Sequence, residues 1–212
     1  MFRFMIFNIP VSVQPWFWLT LAFISGRLFA DSTQDIVFLL LFVVAGFISI
    51  LVHELGHALT AKHFGKRVEI VLQAFGGYAA YSGAVPISRK QTFLITAAGP
   101  AIQIVLGVLA LAVVRSYPAM DTNLKYFTTV LAGISLIWAI LNLLPILPMD
   151  GGRLVETALG PAHRKTALLI SFITGVVICI ISFTILNQPI LGIFVGMFAY
   201  QSLKALKQPS WR

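Results

Sequence analysis

An apolar run from Ile36 to Val52 leads directly into His53-Glu54-Leu55-Gly56-His57. A stretch of this length with no charge is read as a helix in a membrane. Three ionisable groups at its end are therefore costly, by about 2.5 kcal/mol or more per charge, and are functional by default. A helix turns about 100° per residue, so His53 and His57 lie on one face, one turn apart. That spacing suits two imidazoles on a single tetrahedral zinc ion. Glu54 follows the first of them, where a carboxylate can act as a general base.

The rest of the chain agrees with a membrane setting. Of 212 residues, 58% are hydrophobic and only 10% charged, against roughly a quarter charged in soluble domains. The mean hydropathy is +0.92. The expected fold class is an all-α polytopic membrane protein forming one domain over 1–212. It has about six transmembrane helices, near 16–30, 36–64, 92–114, 125–144, 166–186 and 190–206. A small membrane-associated β-hairpin is expected over 68–88, where β-branched residues precede Gly76-Gly77. The segment 1–15 is aromatic and β-branched with two prolines, which favours an extended or hairpin form over a helix. No cleavable signal peptide is expected. The single cysteine, Cys179, lies in an apolar run and reads as a packing residue.

The net charge of +8 suggests nucleic acid in a soluble chain. Here it marks orientation instead. With six spans and the N-terminus inside, the inner segments carry Arg3, Lys62, Lys66, Arg67, Arg89, Lys90, Arg153, Arg164, Lys165, Lys204, Lys207 and Arg212. The outer ones carry only Arg27, Arg115 and Lys125. Twelve cations against three is a strong positive-inside bias. It places both termini and the histidine pair toward the cytoplasm.

A hydrolytic zinc site usually has three protein ligands and one open position. His63, His163, Asp121, Asp150, Glu69 and Glu156 are the candidates for the third. Asp121 falls at the opposite membrane face, and the other histidines and glutamates sit in polar surroundings. Asp150 is at the matching depth, held in Pro145-Ile-Leu-Pro148-Met-Asp150-Gly-Gly, and is the expected third ligand.

These residues together resemble the site-2 protease family of intramembrane zinc metalloproteases, peptidase family M50. The resemblance rests on HELGHA after an apolar run and on Asn142-Leu-Leu-Pro-Ile-Leu-Pro-Met-Asp150-Gly-Gly. Ile9-Pro-Val-Ser-Val-Gln-Pro, Phe75-Gly-Gly-Tyr78 and Ala98-Gly-Pro-Ala101 are also similar to that family. It implies one zinc ion per chain on His53, His57 and Asp150, with Glu54 as general base. Asn142 is implied beside the site, holding substrate or the developing oxyanion. Gly76, Gly77 and Tyr78 are implied at the tip of a hairpin that guides substrate.

The resemblance further implies a multi-pass protein of a prokaryotic cell membrane. Its substrates would be single-span membrane proteins, such as anti-sigma factors or membrane-held regulators, cut in regulated intramembrane proteolysis. No nucleic-acid partner is expected, and nothing in the sequence sets an oligomeric state. Two features depart from the family. Gln103 stands where the Gly-Pro motif is often followed by Asn, a change expected to alter only local helix packing. There is also room for neither a PDZ nor a CBS domain, so this reads as a short form. The alternatives are a metal-ion transporter with intramembrane His and Asp ligands and an inactive family member that binds membrane partners.

Overall fold

The computed structural model describes residues 1–29, 31–84 and 86–208. Arg212, counted above among the inner cations, lies outside the described residues. So do Ala30 of the expected first span and Val85 of the expected hairpin. The chain divides into two compact units. One is Met1–Ile87 with Ala98–Ala139, and the other is Ser88–Ala97 with Ile140–Arg212.

The first unit begins with a hairpin of β1 (Phe2–Ile6) and β2 (Ile9–Val13). Its two turn residues, Phe7 and Asn8, have φ of 50° and 55°, as a two-residue type I′ turn requires. β3 (Arg67–Gln73) and β4 (Gly76–Ser82) form the second hairpin. The two hairpins join through a parallel pairing that sets Val11 opposite Ile70 and Val13 opposite Leu72. The result is one four-stranded sheet in the order β1-β2-β3-β4, with β4 at an edge. Ile9, Val11, Val13, Ile70 and Leu72 are buried on one face, where they pack with Leu21, Ile50, Leu51, Leu55 and Ala58 of the helices. Period-two alternation thus lays the sheet on helical apolar residues.

Both strand-like segments behave as expected, except at the glycine pair. The second turn is made by Ala74 and Phe75. Gly76 and Gly77 already belong to β4, opposite Gln73 and Leu72. Gly76 has a φ of 131°, a backbone conformation that favours glycine, and Gly77 is closely approached, as described below.

α1 (Pro15–Ile24) has ten residues, about 15 Å of helix, half the ~30 Å hydrocarbon core. The expected span 16–30 therefore ends early, at Ser25 and at Gly26 with φ 69°. α2 (Thr33–His63) runs for 31 residues, and Ser32 caps it by accepting from the Asp35 backbone N–H at 3.1 Å. α3 (Arg89–Ser116) and α4 (Thr122–Asn142) follow. Ala45 of α2, Ala110 of α3, and Leu131 and Ala132 of α4 form a second core cluster. Small residues at such contacts let membrane helices pack closely.

The second unit holds the start of α3, the end of α4, α5 (Asp150–Leu159), α6 (Arg164–Thr184) and α7 (Pro189–Lys207). α5, which opens on Asp150, is not among the helices expected from the sequence. The Arg89 guanidinium donates to the carbonyls of Thr157 and Ala158 at its C-terminus, satisfying acceptors that a helix end leaves open. Among the described residues, five helical stretches are long and apolar enough to cross a membrane: Thr33–His63, Arg89–Ser116, Thr122–Asn142, Pro161–Thr184 and Pro189–Lys207. Of the expected set of about six, five have full length among the described residues, and the expected first span is the short α1.

The turn before Asp150 is tied into this second unit. The Leu147 N–H donates to Ser171 Oγ at 2.8 Å, and Ser171 shares a 2.7 Å hydrogen bond with Ser202. Both serines are buried. Ser171→Ala leaves a backbone donor of the turn without this acceptor, at a cost of about 1–3 kcal/mol. Chemical or thermal unfolding in detergent is expected to register that loss, whereas Ser182→Ala, which removes only a hydroxyl bonded within its own helix, is expected to change little.

Candidate metal centre

Ser49, His53 and His57 are four residues apart on α2, so one face presents all three. All are buried, as is Glu54. Gly99 and Gln103 repeat the same step on α3. The two four-residue steps run in register. Gly99 meets His57, since a Cβ at position 99 would collide with the His57 ring at Nε2 and Cε1. Gln103 meets His53, its Oε1 2.9 Å from His53 Nδ1. The glycine of Ala98-Gly99-Pro100-Ala101 is thus the space in which the second imidazole sits.

The two rings face each other through nitrogen. His53 Nε2 and His57 Nε2 are 3.0 Å apart, with ring planes at 84°. Two nitrogens on one tetrahedral zinc, each bound at about 2.0–2.1 Å, stand roughly 3.3 Å apart. The observed separation is within a few tenths of that value. Gln103 accepting from Nδ1–H is the outer partner expected of a ligating histidine, because it leaves the lone pair on Nε2. By spacing and by tautomer, this donor pair fits a divalent metal.

Glu54 sits under the sheet edge. A Cβ added at Gly77 would lie 2.8 Å from Glu54 Cγ and 2.9 Å from Glu54 Oε1. Any side chain at position 77 would therefore push against the carboxylate. Trp138 of α4 borders Gly76 at 3.9 Å on the same measure. Tyr78, the next residue of β4, is exposed.

In the second unit, Asp150 is the first residue of α5 and half-buried. Asn142 is the last residue of α4 and also half-buried. Gly151 and Gly152 are buried because the preceding turn folds back over them. A Cβ on Gly151 would collide with the Leu143 carbonyl, and one on Gly152 would lie 2.5 Å from Leu147 N. The Asp-Gly-Gly sequence is what lets this turn close.

The other ligand candidates have different settings. His63 and Glu69 are exposed. Exposed His163 lies 3.2 Å from the Leu159 carbonyl through Nδ1, and Glu156 pairs with Arg164 at 3.2 Å. Asp121 accepts from the Asn123 N–H at 2.9 Å, capping α4. In the sequence alone Gln103 reads as a packing change, and Ser49 is not among the candidate residues. The signal was present in the four-residue step from Ser49 to His53 and from Gly99 to Gln103.

The family model of peptidase family M50 matches residues 41–118 and 115–182, which takes in both His53-Glu54-Leu55-Gly56-His57 and Asp150. The chain belongs to peptidase family M50. It is 29% identical to a zinc metalloprotease of Methanocaldococcus jannaschii over 208 residues, 93% of this chain and 57% of that protein. It is 26% identical to stage IV sporulation protein FB of Bacillus subtilis over 211 residues, 92% of this chain and 67% of that one. The solved site-2 protease from Methanocaldococcus jannaschii superposes with a TM-score of 0.64 at 26% identity, covering 100% of this chain and 97% of that one. The site-2 protease resemblance drawn from the motifs therefore holds over the whole chain. Together with its apolar helices, M50 membership makes this an integral membrane protein.

Proposed function

We propose that this chain is a zinc-dependent intramembrane endopeptidase, which hydrolyses peptide bonds within or near the transmembrane segment of single-span membrane proteins. The observation that carries this reading is the pair of buried imidazoles with facing Nε2 atoms, beside a buried glutamate against an edge strand. The cofactor is one zinc ion per chain, and the named zinc metalloproteases among its relatives support that choice. His53, His57 and Asp150 would supply two imidazoles and a carboxylate, a donor combination common in hydrolytic zinc sites. Bound zinc lowers the pKa of a coordinated water toward about 7 and polarises a carbonyl.

The chain's own residues do the rest. Glu54 takes the proton of the attacking water and returns it to the leaving amine. Asn142 holds the substrate or its developing oxyanion. A substrate helix hides its carbonyls in hydrogen bonds, so it must open locally before attack. β4 receives the opened segment as an added strand, replacing part of its lost backbone bonding. Gly76, Gly77 and Tyr78 are the residues that the strand first meets. The positive-inside count supports an orientation with this chemistry toward the cytoplasmic face, and we take the membrane to be a prokaryotic one. Anti-sigma factors and membrane-held regulators fit the substrate class.

Gly77→Val tests the coupling between strand and base. A Cβ there meets Leu72 Cδ2 at 2.7 Å and Glu54 Cγ at 2.8 Å, so the added side chain crowds the base. Cleavage of a single-span model substrate is expected to fall by at least about tenfold, with zinc content unchanged. Equal loss of zinc and activity would sink the assignment of β4 to substrate handling.

A further inference from the structure

Gln103 is completely buried, and its amide can be oriented from its surroundings alone. One end is 3.4 Å from the Ser49 carbonyl oxygen and 3.0 Å from Ser49 Oγ. A carbonyl only accepts, so that end is the NH2 group. The other end, Oε1, therefore faces His53 Nδ1 at 2.9 Å, and an amide oxygen only accepts. The proton is then on Nδ1 of His53, and the lone pair is on Nε2, the atom directed at His57 Nε2. Ser135 of α4 donates to Ser49 Oγ at 2.9 Å, which holds that hydroxyl as well. Ser49 and Ser135 are completely buried too. A chain of hydrogen bonds thus runs from α4 through α2 and α3 to the imidazole.

We propose that Gln103 is a positioning residue that sets the tautomer and ring orientation of His53, with its own amide set by Ser49 and Ser135. The inference rests on the reading of His53 and His57 as metal ligands. It assigns a role to a residue that otherwise looks like a neutral change in helix packing. The length of the side chain matters: from α3, the amide bridges His53 and the Ser49 carbonyl at once.

The test measures zinc affinity of the purified full chain in detergent by competition with a chelator, with the unfolding temperature of each variant recorded alongside. Gln103→Met keeps the length and volume and removes the amide, and it is expected to weaken zinc binding by ~10–100-fold. Gln103→Glu keeps an acceptor for the Nδ1 proton and, as the neutral acid, an O–H donor for the Ser49 carbonyl, and it is expected to stay within a few-fold of wild type. Wild-type affinity in Gln103→Met, or equal weakening in both variants, overturns the proposal in favour of packing alone.

A wild-type chain that binds no zinc overturns the metal reading itself and this inference with it. Long-range proton–nitrogen spectra of histidine-labelled wild type need no variant to fold. The two histidines whose signals change on adding zinc are expected to include one with its proton on Nδ1 and its lone pair on Nε2. Nε2–H on both in the zinc-free chain would contradict the proposal.

Discussion

Glu54→Gln is expected to lower peptide hydrolysis by at least about 10²-fold, the lower bound for loss of a positioned general base, while zinc stays bound at the wild-type ratio. Glutamine keeps the length and shape of the buried side chain, so its contact with Gly77 is preserved. What it lacks is the ability to accept a proton from water and pass it to the leaving amine. Under the proposed assignment the metal donors are His53, His57 and Asp150, so zinc content is not expected to follow activity. Parallel measurement of cleavage and bound zinc checks both halves. Zinc lost together with activity would make Glu54 a ligand, and activity retained with zinc bound would remove it from the chemistry.

Gly99→Ala is expected to act in the opposite way, by removing the metal. The added methyl would occupy space held by the His57 ring, overlapping Nε2 and Cε1 and approaching Cδ2 to 2.9 Å. The α3 backbone at this point is buried beside Pro100, so the imidazole must turn away. Overpacking of this kind costs about 1–3 kcal/mol of stability. Displacing a ligand is expected to weaken zinc binding by more than the ~10–100-fold that loss of an outer partner costs. Gly133→Ala is the control, since a Cβ there meets nothing within 4 Å. It is expected to bind zinc as wild type does. Normal zinc affinity in Gly99→Ala would mean that His57 is not a ligand from the position described.

Much of this was legible because the decisive signals are local. His53 and His57 share a helix face by spacing alone, and the apolar run before them sets the membrane context. Asp150 stands out because a charge in a Pro- and Gly-rich turn needs a reason. The sheet was legible only in pieces. Val11 pairs with Ile70 across a whole transmembrane helix, and strand pairing at that separation leaves no mark in local alternation. α1 read as a span because its composition continues past Ile24, while its end depends on the backbone at Ser25 and Gly26. Gly76 and Gly77 read as a turn because glycine pairs usually are one. Here Gly77 is small to make room for Glu54, a long-range contact. Gln103 escaped for a similar reason, since its importance lies in facing His53 from another helix.

The most direct test of the central claim is cleavage of a single-span substrate in liposomes containing the purified chain, with the new termini located by mass spectrometry. Zinc is removed by chelation and then restored. The account predicts cuts within or beside the apolar segment, lost on chelation and recovered with zinc. An intact substrate under all conditions, with zinc crossing the liposome membrane through the wild-type chain, would contradict it and point to metal transport instead.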